Sequence, residues 1–117
     1  PGIGCTVTAS LVDTDLAIVV TEPTLSGIHD LERVVELAAQ LRLRSAVIIN
    51  KADISPGNTA AIERYCEGND LPVLAQLPFD DIVVQANARQ QPLVTVDDGP
   101  VAGGIRTAWE AAQALLA

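Results

Sequence analysis

Three runs of aliphatic and β-branched residues constrain this chain more than any other feature. They are Leu16 to Thr21 (Leu-Ala-Ile-Val-Val-Thr), Ser45 to Asn50 (Ser-Ala-Val-Ile-Ile-Asn) and Pro72 to Leu77 (Pro-Val-Leu-Ala-Gln-Leu). None alternates apolar with polar residues. A strand with one wet face alternates, whereas a strand covered on both faces does not, and the second pattern belongs to parallel sheets with helices on each side. Both faces of these runs are therefore expected to be buried. The segments between them carry the helical period. From Ser26, read as the cap, the apolar positions are Ile28, Leu31, Val35, Ala38 and Leu41, with His29, Asp30, Arg33, Glu36 and Gln40 between them. That spacing predicts an amphipathic helix. A second helix over residues 59–67 would bury Ala61, Ile62, Tyr65 and Cys66 and stop at Gly68.

Beyond Leu77 the elements shorten. Residues 81–89 suit two turns of helix, and Leu93 to Val96 suits a short strand. Pro100 is well placed to open a last helix, with Val101, Ile105, Ala108, Trp109, Ala112 and Leu116 on one face and Trp109 in the core. Strand, helix, strand, helix, strand is the rhythm of right-handed crossovers. The expected fold class is α/β: three layers, a mostly parallel sheet flanked by helices, in one domain over residues 1–117. No linker or internal repeat divides the chain, and 117 residues suffice for one core.

Composition narrows the functions open to such a fold. Apolar residues make up 49% of the chain, and its 7 prolines and 8 glycines are dispersed, which excludes a disordered or low-complexity segment. Lys and Arg total 7 against 15 Asp and Glu, a net charge of -8. Such a surface repels phosphate backbones, so nucleic-acid binding is not expected. No apolar run approaches the ~20 residues of a membrane-spanning helix. Cys5 and Cys66 are far apart and form no metal-ligand pattern, which fits free thiols in a reducing cytoplasm; both read as small core residues. The chain has no methionine and begins at Pro1-Gly2, and we expect it to be part of something longer.

In open α/β sheets ligands bind beyond the carboxyl ends of the strands. Here those ends read Thr21-Glu22-Pro23-Thr24, Asn50-Lys51-Ala52-Asp53 and Leu77-Pro78-Phe79-Asp80. Caps and turns alone account for many such residues. Asn50-Lys51-Ala52-Asp53 has the more specific chemistry. An asparagine at the sheet edge offers a donor and an acceptor to a planar base, a lysine stem can lie on the face of that base, and an aspartate can accept from guanine N1 and N2. Asp80-Asp81 and Asp97-Asp98 read as turn and helix-start carboxylates rather than metal ligands, and His29 as a solvated first-turn residue. No metal site and no catalytic residue is expected in this chain.

Taken in order, Pro1-Gly2-Ile3-Gly4-Cys5, Leu16 to Thr21, Glu22-Pro23-Thr24, Ser26-Gly27-Ile28-His29-Asp30, Asn50-Lys51-Ala52-Asp53 and Leu77-Pro78-Phe79-Asp80 resemble MinD/ParA-type P-loop ATPases. The resemblance is to the branch with an inserted ferredoxin domain, and it covers the C-terminal half of such a protein. It implies a P-loop, the phosphate-binding lysine and the iron–sulfur insert upstream; within this chain there is no Gly-Lys-Ser/Thr, and Lys51 is the only lysine.

The resemblance also implies roles. Pro1-Gly2 is similar to the switch that senses the γ-phosphate, with the Gly2 N–H as its contact. Asn50 resembles the base-reading asparagine and Lys51 its stacking neighbour, while Pro78, Phe79 and Asp80 resemble the loop on the other side of the base. Glu22-Pro23 matches a loop that faces partners in dimeric relatives. The intact protein would bind ATP with Mg2+, with 4Fe-4S clusters upstream and an iron–sulfur protein among its partners. This chain alone would carry no cofactor and no hydrolysis. Its partner would be the missing N-terminal half or a second copy. Two alternatives stay open: a GTPase that reads guanine through Asp53, and an α/β interaction domain without nucleotide.

Overall fold

The computed structural model describes residues 4–117. Its elements are α1 (Cys5–Leu11), β1 (Ala17–Thr21), α2 (Leu25–Gln40), β2 (Ser45–Ile49), α3 (Pro56–Gly68), β3 (Val73–Gln76), α4 (Asp81–Ala88), α5 (Leu93–Val96) and α6 (Pro100–Leu116). The strands form one parallel sheet in the order β1-β2-β3. Ala17 stands opposite Ser45 and Thr21 opposite Ile49. Between β2 and β3 the register shifts at Val47/Ile48, so that Ile49 faces Gln76.

Alternation along β2 builds the layers. Val47 and Ile49 point towards Leu31 and Val35 of α2 and Ile62 and Cys66 of α3. Ala46 points the other way, towards Leu74 of β3 and Ala108 and Ala112 of α6. The result is helices, sheet, helix, as the unalternating strands require. Leu31, Ile49 and Ile62 are essentially inaccessible, and burying each contributes about 1.5–3 kcal/mol. Burial also pushes the Cys66 thiol pKa up, with the Glu63 carboxylate adding to it.

Several expectations need correction. β1 is not covered on both faces: Ile18 is 41% and Val20 60% exposed. The reason is that α6 packs on β3 and β2, leaving the same side of β1 bare among the described residues. Leu93 to Val96 is a helical turn, not a strand. Thr95 donates its N–H at 3.0 Å and its hydroxyl at 2.7 Å to the Pro92 carbonyl, so the segment satisfies itself locally. Trp109 is outside the core, 61% exposed. Helix α6 buries Val101, Ala102, Ala108 and Ala112; these small residues let it approach closely, and Trp109, with Ile105 and Leu116, falls at the rim of that stripe. Cys5 is exposed, because α1 buries none of its residues.

Helix α2 is capped by Thr24 and not by Ser26. The Thr24 hydroxyl accepts the Gly27 N–H at 2.9 Å, an interaction worth about 1 kcal/mol at a helix start. Helix α3 runs through Gly68 to a cap at Asn69.

Candidate functional site

The carboxyl ends of the three strands are joined to one another beyond the sheet. The Asn50 N–H donates to the Thr21 carbonyl at 2.7 Å, which carries the β1–β2 ladder one residue further. The Asn50 Oδ1 then accepts the Lys51 N–H at 3.0 Å, and Lys51 takes a left-handed conformation with φ 51°. Asparagine favours such turns because its side chain can satisfy nearby backbone donors. The turn sends the chain back towards β3, where the Ala52 N–H donates to the Leu77 carbonyl at 2.8 Å. From α3, the Thr59 hydroxyl donates to the Ala52 carbonyl at 2.6 Å, fixing the turn from behind.

Three carboxylates complete the arrangement. The Lys51 ammonium lies 3.2 Å from Glu22 Oε1. Asp53 Oδ1 accepts the Phe79 N–H at 2.8 Å. One residue on, Asp80 caps α4 by accepting the Ile82 N–H at 3.0 Å. Glu22, Asn50, Lys51, Asp53, Phe79 and Asp80 thus lie along one end of the sheet, with Pro78 half-buried between Leu77 and Phe79. Phe79 is 51% exposed there. Gly2, the expected phosphate contact, lies outside the described residues.

The Glu22 loop is held from two more directions. Asn58 donates its amide to the Pro23 carbonyl at 3.2 Å, and the Thr21 hydroxyl donates to the Gly27 carbonyl at 3.0 Å. The Asn58–Pro23 contact and the Glu22–Lys51 pair join residues distant in sequence, and nothing in local composition singles them out. Asp97 accepts the Gly99 N–H at 2.8 Å and Asp98 pairs with Arg106 at 3.0 Å, so both serve the start of α6. His29 is exposed on α2. Among the described residues no three His, Cys, Asp or Glu side chains cluster to hold a metal, and no helix is long and apolar enough to cross a membrane.

A cleft of about 370 Å³ lies beside this end of the sheet, lined by Val7, Val19, Glu22, Gly27, Asp30 and Leu31 among others. Asn50, Lys51, Asp53 and Phe79 do not line it. It follows the outer edge of β1, which pairs with β2 alone among the described residues. The Ala17 N–H donates to the Arg44 carbonyl and the Thr21 carbonyl accepts from Asn50, both on the β2 side. Backbone groups of alternate strand residues point to opposite sides, so those of Ile18 and Val20 face the open edge.

No family model matches the chain. An uncharacterized protein of Methanocaldococcus jannaschii is 29% identical over a 77-residue alignment that covers 57% of this chain and 29% of that protein. Solved structures are similar over nearly all of it. MinD in the MinC:MinD cell division complex of Aquifex aeolicus superposes with a TM-score of 0.81 at 20% identity, over 97% of this chain and 48% of that one. The septum site-determining protein MinD of Pyrococcus horikoshii, complexed with Mg-ADP, gives 0.77 at 23% identity, over 94% and 46%. The fold of the chain is that of the corresponding part of these MinD structures. The chain spans just under half the length of these structures.

Proposed function

We propose that this chain is the base-side part of a MinD/ParA-like ATPase, forming a purine pocket at the carboxyl ends of its strands. The observation that carries the reading is the convergence of Asn50, Lys51, Asp53 and the Phe79-Asp80 segment at that end of a MinD-type sheet. Because Asn50 Oδ1 already accepts the Lys51 N–H, the Asn50 amide offers a ligand its Nδ2 donors. Those suit purine N7. The Lys51 stem can cover one face of the base while its ammonium stays with Glu22. Pro78 and Phe79 border the opposite side, with Asp80 holding the start of α4.

ATP supplies the phosphoryl chemistry and Mg2+ its charge compensation. Among the described residues no His, Cys, Asp and Glu side chains cluster to hold that ion. Phosphate handling falls to the P-loop half of the full-length protein, which docks along the open edge of β1; Gly2 contributes the γ-phosphate contact. The exposed side chains of Ile18 and Val20, on an edge with no partner strand among the described residues, support that docking. The MinC:MinD complex supports a protein partner for the assembled form.

Photolabelling the full-length protein with 8-azido-ATP tests the reading, since the azide sits next to N7. Label on peptides containing residues 50–53 or 78–80 is expected. Saturable label confined to other segments would contradict the proposed pocket.

A further inference from the structure

An aspartate at the fourth position of a turn such as Asn50-Lys51-Ala52-Asp53 invites one assignment: its two carboxylate oxygens read guanine N1–H and N2–H. The geometry points to another. Asp53 Oδ1 is 2.8 Å from the Phe79 nitrogen and accepts its N–H. Bidentate reading requires both oxygens to face the base in the carboxylate plane, and here one is turned into the neighbouring strand tip. Leu77 and Ile49 are already joined at 2.8 Å, and Ala52 and Leu77 again at 2.8 Å. The Asp53–Phe79 bond is therefore the third and outermost rung of a ladder extending past the end of the sheet.

We propose that Asp53 is a positioning residue: its carboxylate holds the Phe79 N–H and thereby fixes segment 78–80. That this segment forms one wall of a purine site rests on the function proposed above; the hold itself does not. Two carboxylates act in succession along the segment. Asp53 takes the Phe79 N–H, and Asp80 takes the Ile82 N–H at 3.0 Å, so the chain is pinned on both sides of the exposed Phe79 ring. Carboxylate acceptors bind backbone N–H groups more strongly than neutral ones, which suits a short segment with no strand partner among the described residues. Base selectivity then comes from groups other than Asp53.

Two variants separate these roles. Asp53→Asn keeps an oxygen acceptor without the charge, whereas Asp53→Ala removes it. Amide exchange of Phe79, followed by NMR in the full-length protein, should quicken roughly tenfold in Asp53→Ala, as loss of a hydrogen bond to a charged group implies, and return most of the way in Asp53→Asn. Protection at Ile62 and Ala86 serves as the check on global folding. ATP binding should weaken in Asp53→Ala and recover in Asp53→Asn, with no gain of xanthosine triphosphate in either. Unchanged Phe79 exchange in Asp53→Ala overturns the proposal. So does an Asp53→Asn protein that exchanges guanosine for xanthosine triphosphate preference, because that swap marks a carboxylate reading the base. A wild-type protein that binds no purine nucleotide, with Phe79 exchange still following the carboxylate, supports the hold and removes the nucleotide site instead.

Discussion

The ammonium of Lys51 and the carboxylate of Glu22, 3.2 Å apart, tie the tip of β2 to the tip of β1. Both side chains are about two-fifths exposed, so the pair adds at most about 1 kcal/mol to stability. Its consequence is orientation. Lys51 leaves the sheet in a left-handed conformation, and the pair draws its stem across the strand ends instead of out into solvent. The same end holds Asn50 and the Asp53–Phe79 contact, so side chains from three strand tips share one small region.

The start of α2 passes so close to the loop before it that a Cβ at Gly27 would overlap the Glu22 carbonyl oxygen and crowd the Thr24 hydroxyl. Both neighbours are fixed, one as backbone and the other as the helix cap. Gly27→Ala should therefore destabilise by roughly 1–3 kcal/mol. Gly57, in the first turn of α3, has nothing within 4 Å of its Cβ position, and Gly57→Ala should stabilise by roughly 0.5–1 kcal/mol. Denaturant unfolding of the two variants checks the opposite signs.

The open edge of β1 should recruit another strand when this chain is produced alone. Val20 is 60% and Ile18 41% exposed, and their backbone groups lack a partner strand among the described residues. The net charge of -8 opposes unlimited growth, so a small oligomer is expected by sedimentation over a range of concentrations. Val20→Lys should shift the equilibrium to monomer. A wild-type chain that stays monomeric at high concentration would show that this edge is covered in another way.

The two thiols should differ sharply. Cys5 is exposed and Cys66 buried, and burial first, then Glu63, raises the Cys66 pKa above its ordinary 9.0. Below pH 9 a thiol reagent should modify Cys5 quickly and Cys66 only through opening of the fold. Tyr65 is raised from 10.0 by burial and by Glu32, Cys66 and Glu36. For both groups the folded state retains the proton that the unfolded chain gives up. Their stabilising contribution is complete below about pH 9 and is lost as pH rises through the folded values. Unfolding curves from pH 7 to pH 11 should decline over that upper range.

Much of this architecture is legible in the residues. The runs at Leu16, Ser45 and Pro72 become strands beginning at Ala17, Ser45 and Val73, because long aliphatic stretches have few other ways to be buried. The stripe Leu31, Val35 and Ala38 is the buried face of α2. What was not legible depended on neighbours. Three aliphatic residues and a threonine over 93–96 carry no periodicity that separates a strand from a helical turn, and with no strand beside them among the described residues the turn wins. Trp109 shares the period of its helix, but period does not reveal how far the sheet extends beneath it. The site residues are nameable from the strand ends, whereas the Lys51–Glu22 and Asp53–Phe79 pairings arise only once three tips are brought side by side.

In the proposed site Asn50 presents its amide to a purine nucleotide. Equilibrium binding of ATP to the full-length protein carrying Asn50→Asp tests it most directly. The aspartate can still accept the Lys51 N–H, so the turn and the thermal midpoint should be preserved, but the Nδ2 donor is gone. Leaving the base edge unpaired costs about 1–3 kcal/mol, so ATP should bind roughly five- to 150-fold more weakly. ATP affinity equal to wild type in a folded Asn50→Asp protein would contradict a base-reading role for Asn50.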